Sequence, residues 1–335
     1  MHFPNRELED VCYESSHIAA VEAALVAGLD KYFPRYVSGS SSFEQDADVS
    51  ALSSNGNFKV SSSQRVKKPA RPAAKTILEN LAGEAIEGFE RDQADYQNLL
   101  DEEALLEYGL DPPSFKSVAL RNQCPIIRKT LQSKKEDLKR YRIDYNQADP
   151  SELHYTVTNL ADFARAYAKR YRPSTFPKID SLATLRFDEL NTEDYTVFGV
   201  IGGGIKSHLL YKLYPNIFPY RSPDAVWALW FLVSKEVFGC RQDSEFLMIN
   251  LKNSNNNMKN VTTSQNFFYP YPLFSLYALK LSRRLAQEWE RAGAMFPEKH
   301  RFVILNNFLL FVAGQHAEET AILARQSNEY AADAY

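Results

Sequence analysis

The sequence predicts an α+β protein, mostly α-helical with a few short strands. Apolar residues recur at three-to-four spacing through most of the chain, the period of a helix with one buried face. Strand-like runs are few and short. Hydrophobic residues make up 44% of the 335 residues and charged residues 24%, enough to bury a sizeable core.

Residues 9–33 predict a helix, with Val11, Ile18, Ala19, Val21, Leu25 and Leu29 as apolar positions. Residues 38–63 are rich in Ser, Asn and Asp and contain Gly39 and Gly56, which predicts a mobile loop. It runs into Arg65, Lys67, Lys68, Arg71 and Lys75, read as a solvated tether, with nucleic-acid contact as the lesser alternative. The expected division is therefore an N-terminal helix with a polar and basic linker over 1–75, then a main helical α+β domain over 76–335.

From Thr76, residues Ile77, Leu81, Ala85, Ile86 and Phe89 fall on one helical face. Acids crowd the next part, from Asp92 to Glu107, and Gly109 with Pro112-Pro113 ends it. The charge then reverses through Arg128, Lys129, Lys134, Lys135, Lys139, Arg140 and Arg142. The two segments either pair inside the fold or present the basic one to DNA. Val157, Leu160, Ala164, Tyr167 and Tyr171 form another stripe, ended by Pro173. Residues 195–201 read as a buried strand. Ser222-Pro223-Asp224 opens a helix by capping, first-turn geometry and dipole complementarity; Val226, Trp227, Leu229, Trp230 and Leu232 make it apolar nearly all round, and Gly239 ends it. A strand is expected over Phe246–Leu251, an Asn-rich loop over Asn253–Asn260 and a helix over 272–291. Phe302–Gln326 reads as a strand or helix followed by a final helix.

The net charge of −3 gives no general basic coat, so any nucleic-acid surface is local. Cys12, Cys124 and Cys240 have no CxxC spacing, which leaves no sequence-local zinc site and fits buried thiols in a reducing compartment. The N-terminal residues lack the pattern of a signal peptide. The longest apolar run, Ala225–Val233, is far short of the about 20 residues that span a bilayer. The expectation is an intracellular protein, cytoplasmic or nuclear, with no membrane partner.

The functional centre is placed at 196–245. Gly202, Gly203 and Gly204 precede Lys206-Ser207 and a short helical pattern. Glycines let a phosphate approach backbone amides, and a helix start favours an anion. A P-loop does not fit, because Ile205 intervenes between Gly204 and Lys206. The segment from Ile201 to Leu210 instead resembles the hairpin of the helix-hairpin-helix DNA-binding motif. That resemblance covers only residues 197–224. It implies that Gly202, Gly203, Gly204 and Ser207 bind a nucleic-acid phosphate. In the bifunctional DNA glycosylases that share the motif, a lysine after the second glycine is the nucleophile and an Asp at a helix start is essential. The resemblance places Lys206 and Asp224 in these roles, and His208 is a neighbouring acid–base candidate.

Two alternatives stand beside this reading. Asp224, Asp243 and Glu245 loosely resemble the acidic core of restriction nucleases, which implies Mg²⁺ held by carboxylates, with Asp243 and Glu245 as metal ligands; otherwise no cofactor is expected. In the other, the glycine turn is structural and the chain is a non-catalytic module with a protein partner. His316 and Glu319 share a helical face and are either a ligand pair or an exposed polar face.

Overall fold

The computed structural model describes residues 8–50, 73–134, 138–174, 176–240, 244–253 and 259–325. Among them, helices dominate and the sheet is one two-stranded antiparallel hairpin, an α+β fold that is mostly α.

A 3₁₀ turn, Asp10–Tyr13, leads into α1, Ser15–Ser50, which contains Pro34. Helix therefore continues where a loop was expected from residue 38, and residues 51–72, with most of the basic stretch, lie outside the described residues. The amphipathic segment from Thr76 is α2, Ala74–Glu90. The acidic region divides into α3, Gln93–Leu99, and α4, Glu102–Gly109, the latter capped by the Asp101 carboxylate accepting from the Glu103 amide at 3.1 Å. Helix α5, Pro112–Ser114, widens into a π-helical stretch, Phe115–Gln123. The basic segment is not one helix: α6 ends at Gln132 after starting at Pro125, and α7 spans Lys139–Gln147. Helix α8, Pro150–Arg170, begins with Asp149 as cap and Pro150 in its first turn.

The expected strand at 195–201 is a tight turn instead. Val197 and Ile201 pair as an isolated bridge around Gly199. Gly199 has φ 77°, and a Cβ there would lie 2.5 Å from Asp144 Oδ2, so only glycine fits. After a short helix α9, Leu182–Leu185, the glycine-rich segment opens α10, Gly203–Leu213. The capping signal at Ser222 is realised: its hydroxyl accepts from the Ala225 amide at 3.0 Å and starts α11, Pro223–Leu232. That helix stops earlier than Gly239. Ser234, Lys235 and Phe238 then take left-handed backbone, as does Gly239.

Strand β1, Leu247–Asn253, pairs with β2, Lys259–Gln265, in the register Met248↔Ser264 and Leu251↔Val261. The helix expected over 272–291 is α12, Tyr271–Arg291; the ambiguous segment at Phe302 is α13, Arg301–Gln315, and α14 spans Ala317–Arg325.

The core is continuous from α1 to α13. Helix α11 packs on α1 and α13, and α12 packs on both of those. Val21, Leu25 and Leu29 from α1 join Trp227, Leu229, Phe274, Leu281, Trp289, Phe302 and Phe308 in one buried cluster. Where α1 crosses α11, Gly28 leaves no room for a side chain: a Cβ would lie 2.1 Å from the Leu232 carbonyl oxygen. Among the described residues no helix is long and apolar enough to cross a membrane.

Candidate functional site

The glycine turn is knitted into the protein behind it. Gly202 is the N-cap of α10 and is exposed. Gly203 is glycine because Arg221 packs against it: a Cβ would lie 2.7 Å from a guanidinium nitrogen. That guanidinium is held by the carbonyls of Asn266 at 2.9 Å and Phe267 at 2.6 Å. Ser207 donates to the Gly204 carbonyl at 3.0 Å and accepts from the Arg221 amide at 3.1 Å. Gly204 has open space around it.

Lys206 points inward. It is 4% exposed, and its ammonium donates to the Leu190 carbonyl and to Thr196 Oγ1, the latter at 2.8 Å. Burial, with Arg221 nearby, pushes its pKa down to about 8. An amine enclosed in this way anchors α10 to the segment before it and has no open side for a substrate. Asp224 is exposed in the first turn of α11. No hydrogen bond or ion pair among the described residues joins it to Lys206, His208 or Glu245.

Glu245, the other carboxylate expected to hold metal, is 4% exposed. Its carboxylate is buried, accepting from the Tyr269 hydroxyl at 2.8 Å and lying 2.5 Å from His17 Nε2. That hydrogen bond raises the His17 pKa. Cys12 Sγ lies 3.6 Å from Cys240 Sγ, and the donor and acceptor atoms of Cys12, His17, Cys240 and Glu245 all fall within 4.8 Å of one another. Asp243, expected to partner Glu245, lies outside the described residues.

His208 lies on another side of α10, in the wall of a cleft of about 550 Å3 between α2, α3, α6, α10 and α13. Phe89, Tyr96, Tyr211 and Tyr220 supply aromatic surface; Asp92, Lys129, Lys212, Asn306 and Asn307 supply polar groups. Lys212 donates to the Phe89 carbonyl at 2.5 Å and to Asp92 at 2.6 Å, so its charge is largely answered within the protein. Lys129 is more exposed and stands 3.9 Å from the same carboxylate. Two cations thus share one acid.

The Tyr96 hydroxyl accepts from the Ile126 amide at 2.9 Å and is also paired with His208 Nε2 at 3.0 Å. With Tyr96 as the donor of that pair, Nε2 accepts and Nδ1 carries the ring proton. Burial, reinforced by Lys212, pushes the His208 pKa down to about 3, so the ring is neutral near pH 7. Nδ1 is out of solvent and has no partner among the described residues; neither has Asn306 Oδ1. An unanswered buried polar group costs about 1–3 kcal/mol.

His316 and Glu319 do meet, at 3.2 Å, across the break between α13 and α14. Tyr32 also bonds His316 at 2.6 Å, and Lys235 pairs with Glu319, so the pair belongs to a structural network.

Sequence reasoning reached His208 and Glu245 but not their companions. Tyr96, Lys129, Lys212 and Asn306 come from four separate helices. Cys12 and His17 have the same five-residue separation as Cys240 and Glu245, and that repeated interval is the signal that could have found the cluster. Comparison of the chain with protein-family models, curated proteins and solved structures finds no match.

Proposed function

We propose that the chain binds a nucleotide-class ligand, a planar polar heterocycle carrying phosphate, in the cleft beside His208. The supporting observation is a neutral histidine whose buried Nδ1 has no partner among the described residues, in a cleft wall that also carries the unpartnered acceptor Asn306 Oδ1. Small turns of the two side chains would bring both atoms to the cleft, where a heterocycle with adjacent acceptor and donor atoms answers them. Phe89, Tyr211 and Tyr220 give the cleft an aromatic wall, with Tyr220 the most exposed of the three. Lys129, exposed and only loosely paired, offers charge for a phosphate. A few placed polar groups in an aromatic-walled cleft are the usual composition of a small-molecule site.

The same chemistry is carried by a free nucleotide and by the end of a nucleic-acid strand. Calorimetric titration with a nucleoside monophosphate, with a short single-stranded oligonucleotide and with inorganic phosphate separates these sources. His208→Phe keeps the ring volume and removes the donor; a loss of about ten- to a hundredfold in affinity is expected. Silence towards all three probes, or binding untouched by His208→Phe and Asn306→Leu, overturns the reading. The uncapped first turn of α10 favours a second reading, in which the Gly203 and Gly204 amides take a phosphate. Salt-sensitive DNA binding that survives His208→Phe and is lost in Gly204→Val would move the site there.

A further inference from the structure

We propose that Cys12, His17, Cys240 and Glu245 form a closed centre for one divalent transition-metal ion of the zinc type. Two thiolates, an imidazole and a carboxylate are a donor set suited to zinc, and four protein ligands make a structural site. Cys12, His17 and Glu245 are buried and Cys240 partly so. Their ligating atoms lie within 4.8 Å of one another.

The distances suit a tetrahedral ion. With zinc–sulfur bonds of about 2.3 Å, two sulfurs stand roughly 3.8 Å apart; Cys12 and Cys240 are at 3.6 Å. Nitrogen and oxygen ligands at about 2.0 Å stand roughly 3.3 Å apart. His17 and Glu245 are at 2.5 Å, drawn together by a hydrogen bond whose proton the ion would replace. The pair has to open by a little under 1 Å, a side-chain movement.

The surroundings are those of ligands held in place. Tyr269 donates to Glu245 Oε1, leaving Oε2 towards His17. The backbone of Phe238 also hydrogen-bonds the His17 ring. Such outer contacts fix ligand orientation at metal sites.

The two half-sites, Cys12/His17 and Cys240/Glu245, are 228 residues apart. One ion would tie the start of α1 to the segment entering β1. This centre is independent of the cleft at His208.

The test is metal analysis of the full-length chain purified with its thiols reduced, followed by replacement with Co²⁺. About one ion per chain and a tetrahedral cobalt spectrum with thiolate charge transfer are expected. Cys12→Ser and Cys240→Ser should each lose the ion, whereas Cys124→Ser, a core thiol elsewhere, should keep it. Glu245→Gln should change the cobalt spectrum. Should the cysteine variants fail to fold, the wild-type stoichiometry and cobalt spectrum decide alone. A wild-type chain that takes up neither zinc nor cobalt after reconstitution overturns the proposal. So does an intact Cys12–Cys240 disulfide in the isolated protein, or an ion retained equally by Cys12→Ser and Cys240→Ser.

Discussion

Adding one methyl group at two glycines should move stability in opposite directions. Gly28 lies where α1 meets α11. A Cβ there would be 2.1 Å from the Leu232 carbonyl oxygen, 2.7 Å from its carbonyl carbon and 2.9 Å from its Cα. These are backbone atoms and cannot rotate away. Reaching ordinary contact separates the two helices by roughly 1 Å, and overpacking of this kind costs about 1–3 kcal/mol or more. Alanine returns about 1 kcal/mol of helix propensity. Because the separation also loosens the contacts of Leu25 and Leu29, a net loss of about 2 kcal/mol or more is expected for Gly28→Ala. Gly83, in α2, is exposed, and a Cβ added there would meet nothing within 4 Å. Gly83→Ala should therefore gain about 0.5–1 kcal/mol. Equilibrium denaturant unfolding of both variants beside the wild type reads the contrast. If Gly28→Ala is as stable as the wild type while Gly83→Ala behaves as expected, the α1–α11 crossing is wrong.

Lys206→Met should reveal the buried amine through pH. The folded-state pKa of about 8 lies below the ordinary 10.5, so between these values the unfolded chain binds more protons and wild-type stability rises with pH. The wild-type minus Lys206→Met difference should be flat below pH 8 and climb by roughly 3 kcal/mol towards pH 10.5; a flat difference throughout would mean the amine is solvated. Trp227→Ala should cost about 3–5 kcal/mol in the same unfolding assay. Trp230, only half-buried, should cost less, and the reverse order would misplace the buried face of α11. Asp92→Asn removes the partner of the buried Lys212 and should cost about 3 kcal/mol, largely recovered by adding Lys212→Met; a neutral single variant would show the pair to be solvent-screened.

What the sequence made legible was local. Ser222-Pro223-Asp224 marks the start of α11 because cap, first-turn proline and dipole act within four residues. The stripe from Phe274 to Trp289 marks α12 for a similar reason. Strand β2 could not be read this way: Lys-Asn-Val-Thr-Thr-Ser-Gln has no apolar alternation, and only pairing with β1 makes it a strand. Gly203 suggested an approaching phosphate, but the group that approaches it is Arg221, eighteen residues later. His208 and Glu245 could be singled out as reactive types, whereas the environment that gives each its chemistry is assembled from distant helices. Absence of CxxC spacing ruled out a local site; it carried no information about Cys12 and His17 meeting Cys240 and Glu245 through space.

The position of α1 has a consequence for how the protein is made. Its core face, Val21, Leu25, Leu29 and Tyr32, docks on helices that begin at Pro223 and Tyr271. At about 5–20 residues per second of synthesis, α1 is made roughly ten to forty seconds before α11 follows. For that interval an apolar helix face lacks the cover that α11 and α12 give it. Over that interval the face of α1 is a place where the nascent chain is open to aggregation and to chaperone capture.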